Sequence, residues 1–276
     1  MKKIILKSLL FSSFLVVLFY AKPIYLLLND RYKSVVAGKE IYFSIFKSKQ
    51  KKKAKKIILG DSVAYQLFPN TSNNDTINSL ACNQAISLAG QYILLNNYIN
   101  AGNKLDTVYL IFNPFSFKNN LDQKYTYHYF LKPFFIAEYK PLFTELVFNQ
   151  VNKIPYSFIC REPYILTSNW APNFITLDKN KFTMLSQISL EYLQKIKQLS
   201  IKNNFQLIIL PVPISLRYKA IIKNINMNEI INNNLASEFK NFFSQIIYLE
   251  DTLFEDGTHL KQPLFYTNYF KNNFVK

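Results

Sequence analysis

Residues 60–62 (Gly-Asp-Ser) and 256–259 (Asp-Gly-Thr-His) together contain the three side chains of a serine acyl-transfer triad. Asp256 and His259 are three residues apart, so in a tight loop the carboxylate can turn back and accept a hydrogen bond from the imidazole N–H. The other ring nitrogen then faces Ser62 and can take its proton. We therefore predict Ser62 as the nucleophile, His259 as its general base and Asp256 as the residue that orients the base.

The sequence around Ser62 is typical of a buried strand that runs into a helix. Residues 57–59 (Ile-Ile-Leu) precede the Gly-Asp-Ser motif, and residues 63–67 continue in a helical pattern. A serine at this junction lies at the carboxyl edge of a parallel sheet. Its backbone N–H then lies in the first turn of a helix, where unpaired donors stabilise a developing oxyanion.

This pair of motifs resembles the SGNH (GDSL-like) hydrolase superfamily over about residues 56 to 270. The resemblance implies two further blocks, each of which supplies an oxyanion donor. Residues 81–90 resemble the second block and end at Gly90, and residues 108–114 resemble the third block and contain Asn113. The implied oxyanion hole consists of the Ser62 N–H, the Gly90 N–H and the Asn113 amide. Residues 111–114 read Ile-Phe-Asn-Pro where the family commonly has Gly-x-Asn-Asp.

Alternating strand and helix patterns indicate an α/β fold with a parallel sheet. The resemblance further implies a flavodoxin-like three-layer sandwich with a five-stranded sheet of order 2-1-3-4-5. Ser62, Gly90, Asn113 and His259 would then meet at its carboxyl edge. The predicted strands cover residues 56–59, 76–81, 107–112, 206–210 and 245–249, and the predicted helices 87–101, 183–203 and 234–243.

An insertion rich in aromatic residues follows the third strand at residues 114–178. Since it leaves the sheet directly after Asn113, we expect it to cover the active-site edge as a lid or docking surface; alternatively, its aromatic side chains form the core of a subdomain. Within this insertion, we expect His128 to be a packed or surface histidine; a place in the substrate pocket is the less favoured alternative. The aromatic residues are Tyr125, Tyr127, Tyr129, Phe130, Phe134, Phe135, Tyr139, Trp170 and Phe174.

Two charged residues are further candidates for substrate contacts. Asp61 adjoins the nucleophile. Arg217 follows the fourth strand at the same edge of the sheet, where it could bind an anionic substrate group or form a surface salt bridge.

The two cysteines, Cys82 and Cys160, do not have metal-ligand spacing. They can form one disulfide or remain two separate thiols. Since the triad chemistry needs neither a metal nor a cofactor, we expect none of either.

The composition favours a folded, envelope-associated chain over a nucleic-acid-binding one. Hydrophobic residues make up 49% of the 276 residues, which excludes a disordered chain. The formal net charge is +16, but the basic residues are nearly all lysine, with arginine only at positions 31, 161 and 217. Base reading and bidentate phosphate binding favour arginine. We therefore expect no nucleic-acid partner.

The N-terminal residues 1–30 are predicted to be a membrane anchor. Residues 4–20 are largely apolar, and residues 19–21 (Phe-Tyr-Ala) make a poor cleavage site, which favours an uncleaved transmembrane helix over a signal peptide. Residues 31–55 then form a basic linker, which is either solvated or bound to anionic headgroups, and residues 56–276 form the SGNH-like domain. The positive-inside rule favours a cytoplasmic domain. The resemblance implies an extracytoplasmic one, which we prefer.

The resulting hypothesis is a single-pass, membrane-anchored esterase or O-acyltransferase that acts on a cell-envelope glycan or acylated lipid. The chain also resembles accessory proteins of envelope polysaccharide O-acylation, and this implies a multispanning acyltransferase as a partner. The alternative is a non-catalytic envelope subunit that keeps the fold and binds glycan or such a transferase.

Overall fold

Four parallel strands form the main sheet of the computed structural model, which describes residues 2–19, 38–72, 76–122, 126–154, 184–225 and 228–275. The strand order is β2-β1-β3-β4. The central strands β1 and β3 are nearly continuous runs of apolar residues, as expected where helices cover both faces of a sheet. The strands are β1 (Lys56–Gly60), β2 (Ile77–Ser79), β3 (Thr107–Phe112) and β4 (Gln206–Pro211).

Successive side chains of β1 pack into two different apolar clusters, one on each face of the sheet. Ile57 and Leu59 belong to the larger cluster, and Ile58 belongs to the smaller one. The fold is therefore α/β, with a parallel sheet between layers of helix. The helices are α1 (Lys2–Phe19), α2 (Lys39–Ser48), α3 (Ser62–Leu67), α4 (Ser87–Asn100), α5 (Lys132–Phe134), α6 (Glu145–Asn152), α7 (Gln187–Asn203), α8 (Lys219–Lys223), α9 (Asn228–Asn232), α10 (Ala236–Phe239) and α11 (Pro263–Asn273).

The predicted fifth strand at residues 245–249 does not join the main sheet. Only Tyr248–Leu249 (β6) forms a strand, and it pairs in parallel with Ile214–Ser215 (β5) in a separate two-stranded sheet. Helical turns at Ala236–Phe239 and Phe243–Gln245 precede it, and Phe239 and Phe242 are buried there against Phe117 in the larger cluster. A cleft of about 290 Å³ borders β4 between these turns and the end of α11.

The segment predicted as a basic linker packs onto the domain from residue 38 onward, while residues 20–37 lie outside the described residues. On α2, Ile41 is buried in the larger cluster. The buried Lys47 donates from Nζ to the carbonyl oxygens of Asn70, Ser72 and Ser79 at 2.5, 3.1 and 3.2 Å. Burial, together with the charge of Lys52, lowers the pKa of Lys47 to about 8. The folded unit therefore begins before residue 56.

Helix α1 covers the first part of the predicted anchor, and residues 20–30 of that anchor lie outside the described residues. Within the part of the chain that the structure describes, no helix combines the length and the apolar character needed to cross a membrane.

The described part of the aromatic insertion forms core and not an open surface. Phe130, Phe134, Phe135 and Tyr139 are all buried in the larger cluster, where Phe130 and Phe134 pack with ring centroids 5.8 Å apart. Of the residues predicted to form a lid or docking surface, Tyr125, Trp170 and Phe174 lie outside the described residues.

Candidate active site

Gly60 lets the helix that carries the nucleophile approach the sheet closely. A Cβ atom at this position would lie 2.4 Å from Cβ of Ala64 and 2.5 Å from the carbonyl oxygen of Ile111. Both distances are well below the van der Waals separation of non-bonded atoms, so a side chain here would push α3 away from β3. The glycine of the motif therefore sets how close Ser62 lies to the carboxyl end of β3.

Asp61 is buried and does not face a substrate. Oδ1 accepts hydrogen bonds from Val63 N and Ala64 N at 3.1 Å each, and thereby caps α3. Oδ2 accepts from Asn113 N at 2.6 Å and from Ser116 Oγ at 2.7 Å. Burial raises the pKa of Asp61, and these donors counteract it. The carboxylate, which the sequence offered as a candidate for a substrate contact, is thus a structural link between the ends of β1 and β3.

The capping by Asp61 leaves the Ser62 N–H free. Asp61 binds the N–H groups of the second and third residues of α3, whereas that of Ser62, the first residue, has no hydrogen-bond partner within the described residues. Such a donor beside the nucleophile can bind a developing oxyanion. This agrees with the role predicted for the Ser62 N–H.

The structure brings Ser62, His259 and Asp256 together in one chain of hydrogen bonds. His259 Nε2 lies 2.9 Å from Ser62 Oγ, and Nδ1 lies 2.7 Å from Asp256 Oδ2. An ionised carboxylate can only accept, so Nδ1 carries the proton and the neutral Nε2 accepts from the Ser62 hydroxyl. This is the arrangement in which imidazole takes the serine proton as the hydroxyl attacks a carbonyl carbon.

Asp256 also holds the backbone of its own loop. Its Oδ1 accepts from Thr258 N at 2.9 Å and from His259 N at 2.8 Å. Partial burial by itself raises the pKa of Asp256, but the hydrogen bonds from the backbone and imidazole of His259 and from Thr258 N outweigh it and lower the pKa to about 2. Asp256 is therefore ionised at neutral pH and can stabilise the imidazolium that forms during proton transfer.

Gln66 joins the helix of the nucleophile to the loop of the base. It lies one turn after Ser62 on α3, and its Oε1 accepts from Leu260 N at 3.1 Å, directly after His259. Thr267 Oγ1 of α11 donates to the carbonyl of Leu67, at the end of α3, at 2.8 Å. Neither contact can be predicted from the sequence, because a lone glutamine or threonine carries no signal of a partner about 200 residues away.

Asn113 lies where the resemblance predicts a side-chain oxyanion donor. It ends β3 and is joined to Asp61 through its backbone N–H. Its Oδ1 accepts from Phe115 N at 3.0 Å, which fixes the amide orientation. The Nδ2 group has no hydrogen-bond partner among the residues that the structure describes, and the backbone of Asn113 binds Asp61, the residue before Ser62.

Gly90 does not lie where the resemblance predicts it. It is the fourth residue of α4, a position whose N–H joins the hydrogen bonds of the helix. A Cβ atom here would lie 2.7 Å from Cβ of Ile86. Gly90 therefore serves the packing of the preceding turn, and its place inside α4 does not favour the predicted role as an oxyanion donor.

Buried polar side chains, which no sequence motif predicts, support the nucleophile from the neighbouring loops. Ser116 Oγ, which binds Asp61, also lies 2.8 Å from Oε1 of Gln84. From α4, Gln91 Nε2 donates to the carbonyl of Gly60 at 2.8 Å. The loop at Ser62 is thus held from β1, β3 and α4.

Arg217 supports the loop of the catalytic base and is engaged in a salt bridge. Its Nε donates to Asp251 Oδ2 at 2.9 Å and to Ser215 Oγ at 3.2 Å, and Asp251 also binds the Ser215 hydroxyl. The guanidinium lies against Gly257, where a Cβ atom would be 3.1 Å from Nη1. Arg217 therefore forms a salt bridge, which was one of the two alternatives offered by the sequence. Its guanidinium also packs against the loop that carries His259.

We expect Gly257→Ala to reduce activity more than its loss of stability explains. Gly257 has φ of 83° and Gly102 has φ of 78°, so an alanine at either position costs about 1 to 2 kcal/mol of left-handed strain. Only at Gly257 does the new Cβ meet Arg217, since nothing lies within 4 Å of it at Gly102. Displacement of the loop should lower kcat/KM for an ester about 10- to 100-fold.

The matched control for this prediction is Gly102→Ala. Urea unfolding should show similar losses of stability for both variants, and ester hydrolysis should fall only in Gly257→Ala. Equal activity of the two folded proteins would show that the contact with Arg217 does not set the geometry of the loop.

The remaining candidates lie outside this site or outside the described residues. His128 is part of the π-helical turn Tyr127–Leu131 and is half-buried. Cys82 is a buried free thiol, and Cys160 lies outside the described residues. Among the residues that the structure describes, no group of three or more His, Cys, Asp or Glu side chains could hold a metal ion.

Comparison with known proteins does not assign the chain to a family. No protein-family model, no curated protein and no solved structure matches it.

Proposed function

We propose that this protein is a serine esterase or O-acyltransferase of the SGNH (GDSL-like) type. The observation that carries the proposal is the hydrogen-bonded chain of Ser62, His259 and Asp256, with contacts of 2.9 and 2.7 Å. Gly-Asp-Ser and Asp-Gly-Thr-His sequences that only form turns would not need to bring these three side chains together. Their presence between two distant motifs supports a catalytic role.

In the proposed reaction, Ser62 Oγ attacks the carbonyl carbon of an ester while His259 Nε2 takes the hydroxyl proton. The oxyanion of the tetrahedral intermediate meets the Ser62 N–H and Asn113 Nδ2. His259 returns the proton to the leaving alcohol, and an acyl-Ser62 ester remains. Water or a sugar hydroxyl then attacks this ester with His259 again as base, which releases the acid or the acylated sugar.

The proposed setting is the outer side of a cell membrane, with a single N-terminal anchor. Its substrate would be a glycan or acylated lipid of the envelope, and its partner a multispanning acyltransferase. Support comes from the sequence resemblance and from the apolar residues 4–18.

A fluorophosphonate probe tests the proposal, because it reacts with a serine only where a base activates the hydroxyl. We expect the wild-type protein to be labelled at Ser62, and Ser62→Ala and His259→Ala to remain unlabelled. Circular dichroism shows whether each protein is folded. A folded wild-type protein that takes up no label would contradict the catalytic proposal.

One observation favours the second candidate, a non-catalytic envelope subunit that binds glycan or a transferase. Because Gly90 lies inside α4, two of the three donors expected for the oxyanion hole remain. The same labelling experiment separates the two candidates.

A further inference from the structure

Exposed apolar side chains are concentrated around the loop of the catalytic base. Outside α1, the structure exposes eight large hydrophobic residues among those it describes. Four of them lie just before or after residues 254–260 in the chain, and a fifth, Leu216, lies on a segment that is bonded to Asp251. Leu264 and Phe265 are the most exposed, at 75% and 76%. We refer to these five as the apolar rim: Leu216, Leu253, Leu264, Phe265 and Tyr269.

Hydrogen bonds connect the segments of the apolar rim into one stretch of surface. The carbonyl of Leu253 accepts from Lys261 N at 3.0 Å, which places Leu253 beside the start of α11. Directly after Leu216, Arg217 N donates to Asp251 Oδ1 at 3.3 Å. The rim therefore borders the loop that carries His259 on both sides.

The first turns of α11 present the rest of the rim to solvent. Thr267 and Phe270 are buried on the side of the helix that packs against α3, whereas Leu264, Phe265 and Tyr269 are exposed. An amphipathic helix normally exposes polar residues. Apolar side chains on the exposed side indicate a partner that is itself apolar.

The charge of the whole chain, rather than that of the rim alone, favours an anionic partner. Asp251 is paired with Arg217, whereas the hydrogen bond that Asp256 accepts from the His259 ring does not cancel its charge. The other charged residues on these segments are Glu250, Glu255 and Asp256 and the exposed Lys219, Lys261 and Lys271, so the local charges balance. The whole chain carries a formal net charge of +16.

We infer that the apolar rim docks on the surface of a bilayer that contains anionic lipids, with Leu264 and Phe265 inserted below the headgroups. Apolar side chains with neighbouring lysines are what such an interface binds. Helix α1 carries eleven exposed large apolar side chains, which independently indicates that this chain meets an apolar phase. In combination with the proposed function, on which this last step rests, the docked rim would bring a lipid-borne ester to Ser62.

Tryptophan quenching by brominated lipids tests the inference on the full chain. Trp170 is the one tryptophan of the sequence, so Trp170→Phe provides a silent background. Phe265→Trp in this background places the probe in the rim. Ile201→Trp is the matched control, because Ile201 is 73% exposed on α7, outside the rim.

With vesicles of brominated anionic lipid, Phe265→Trp should lose most of its emission and Ile201→Trp should keep it. In Trp170→Phe/Tyr269→Trp, adding Leu264→Asp and Phe265→Asp should remove the quenching. No quenching at position 265, equal quenching at 265 and 201, or equal quenching in zwitterionic vesicles would overturn the inference. Since quenching reports how close the indole lies to the bromine atoms and needs no turnover, these outcomes are independent of whether Ser62 reacts with the fluorophosphonate.

Discussion

His259→Ala should lower kcat/KM for p-nitrophenyl acetate by about 10⁴-fold or more, to the level of Ser62→Ala. The imidazole is the one group that the structure places within hydrogen-bond reach of the Ser62 hydroxyl, at 2.9 Å, among the described residues. Without it, no base takes the proton during attack. Because the two side chains act as a unit, the double variant should be no slower than either single variant.

The sequence supplies a matched control, because His128 is the only other histidine. His128→Ala should keep kcat/KM close to the wild-type value. A folded His259→Ala protein that retains the wild-type rate would remove His259 from the mechanism. A Ser62→Ala protein that does so would remove the triad.

Asp61→Ala should cost about 3 kcal/mol of unfolding free energy. The substitution removes the cap of α3, which is worth about 1 kcal/mol. It also leaves the buried Asn113 N without an acceptor, at about 1 to 3 kcal/mol, whereas Ser116 Oγ can still donate to Gln84 Oε1. Ester hydrolysis should fall as well, because the same carboxylate holds Asn113 beside Ser62.

Urea unfolding measures this loss, with Asp106→Ala as the control. Asp106 is exposed, and its carboxylate lies 3.9 Å from Lys55 in a surface pair. Its removal should change the stability by no more than about 0.5 kcal/mol. If both variants unfold at the same urea concentration, Asp61 does not link the two strands in the way the hydrogen bonds indicate.

The sequence predicted the triad and the central strands because their signals are local. Strands β1 and β3 are apolar along almost their whole length, and the Gly-Asp-Ser motif stands directly after β1. The spacing of Asp256 and His259 likewise predicts their contact without knowledge of the fold. Within each motif and each strand, the residues that carry the signal are neighbours along the chain.

The predictions that differ from the structure concern residues whose packing the local sequence does not reveal. Gly90 resembles a motif glycine, but the packing of Ile86 places it inside a helix. The predicted fifth strand is not part of the main sheet, since Tyr248–Leu249 pairs with Ile214–Ser215 instead. Residues 31–55 were predicted to form a basic linker, either solvated or bound to headgroups. Within this segment, however, three backbone carbonyls bind the ammonium group of Lys47 in the core.

The contact between Ser62 and His259 joins residues that are 197 positions apart. Closing so long a loop has a large entropic cost, which is recovered only after the intervening chain has folded. All four strands of the main sheet end by Pro211, well before the histidine. The sheet can therefore assemble while the nucleophile still lacks its base. The proposed chemistry thus depends on a contact that the main sheet does not need in order to form.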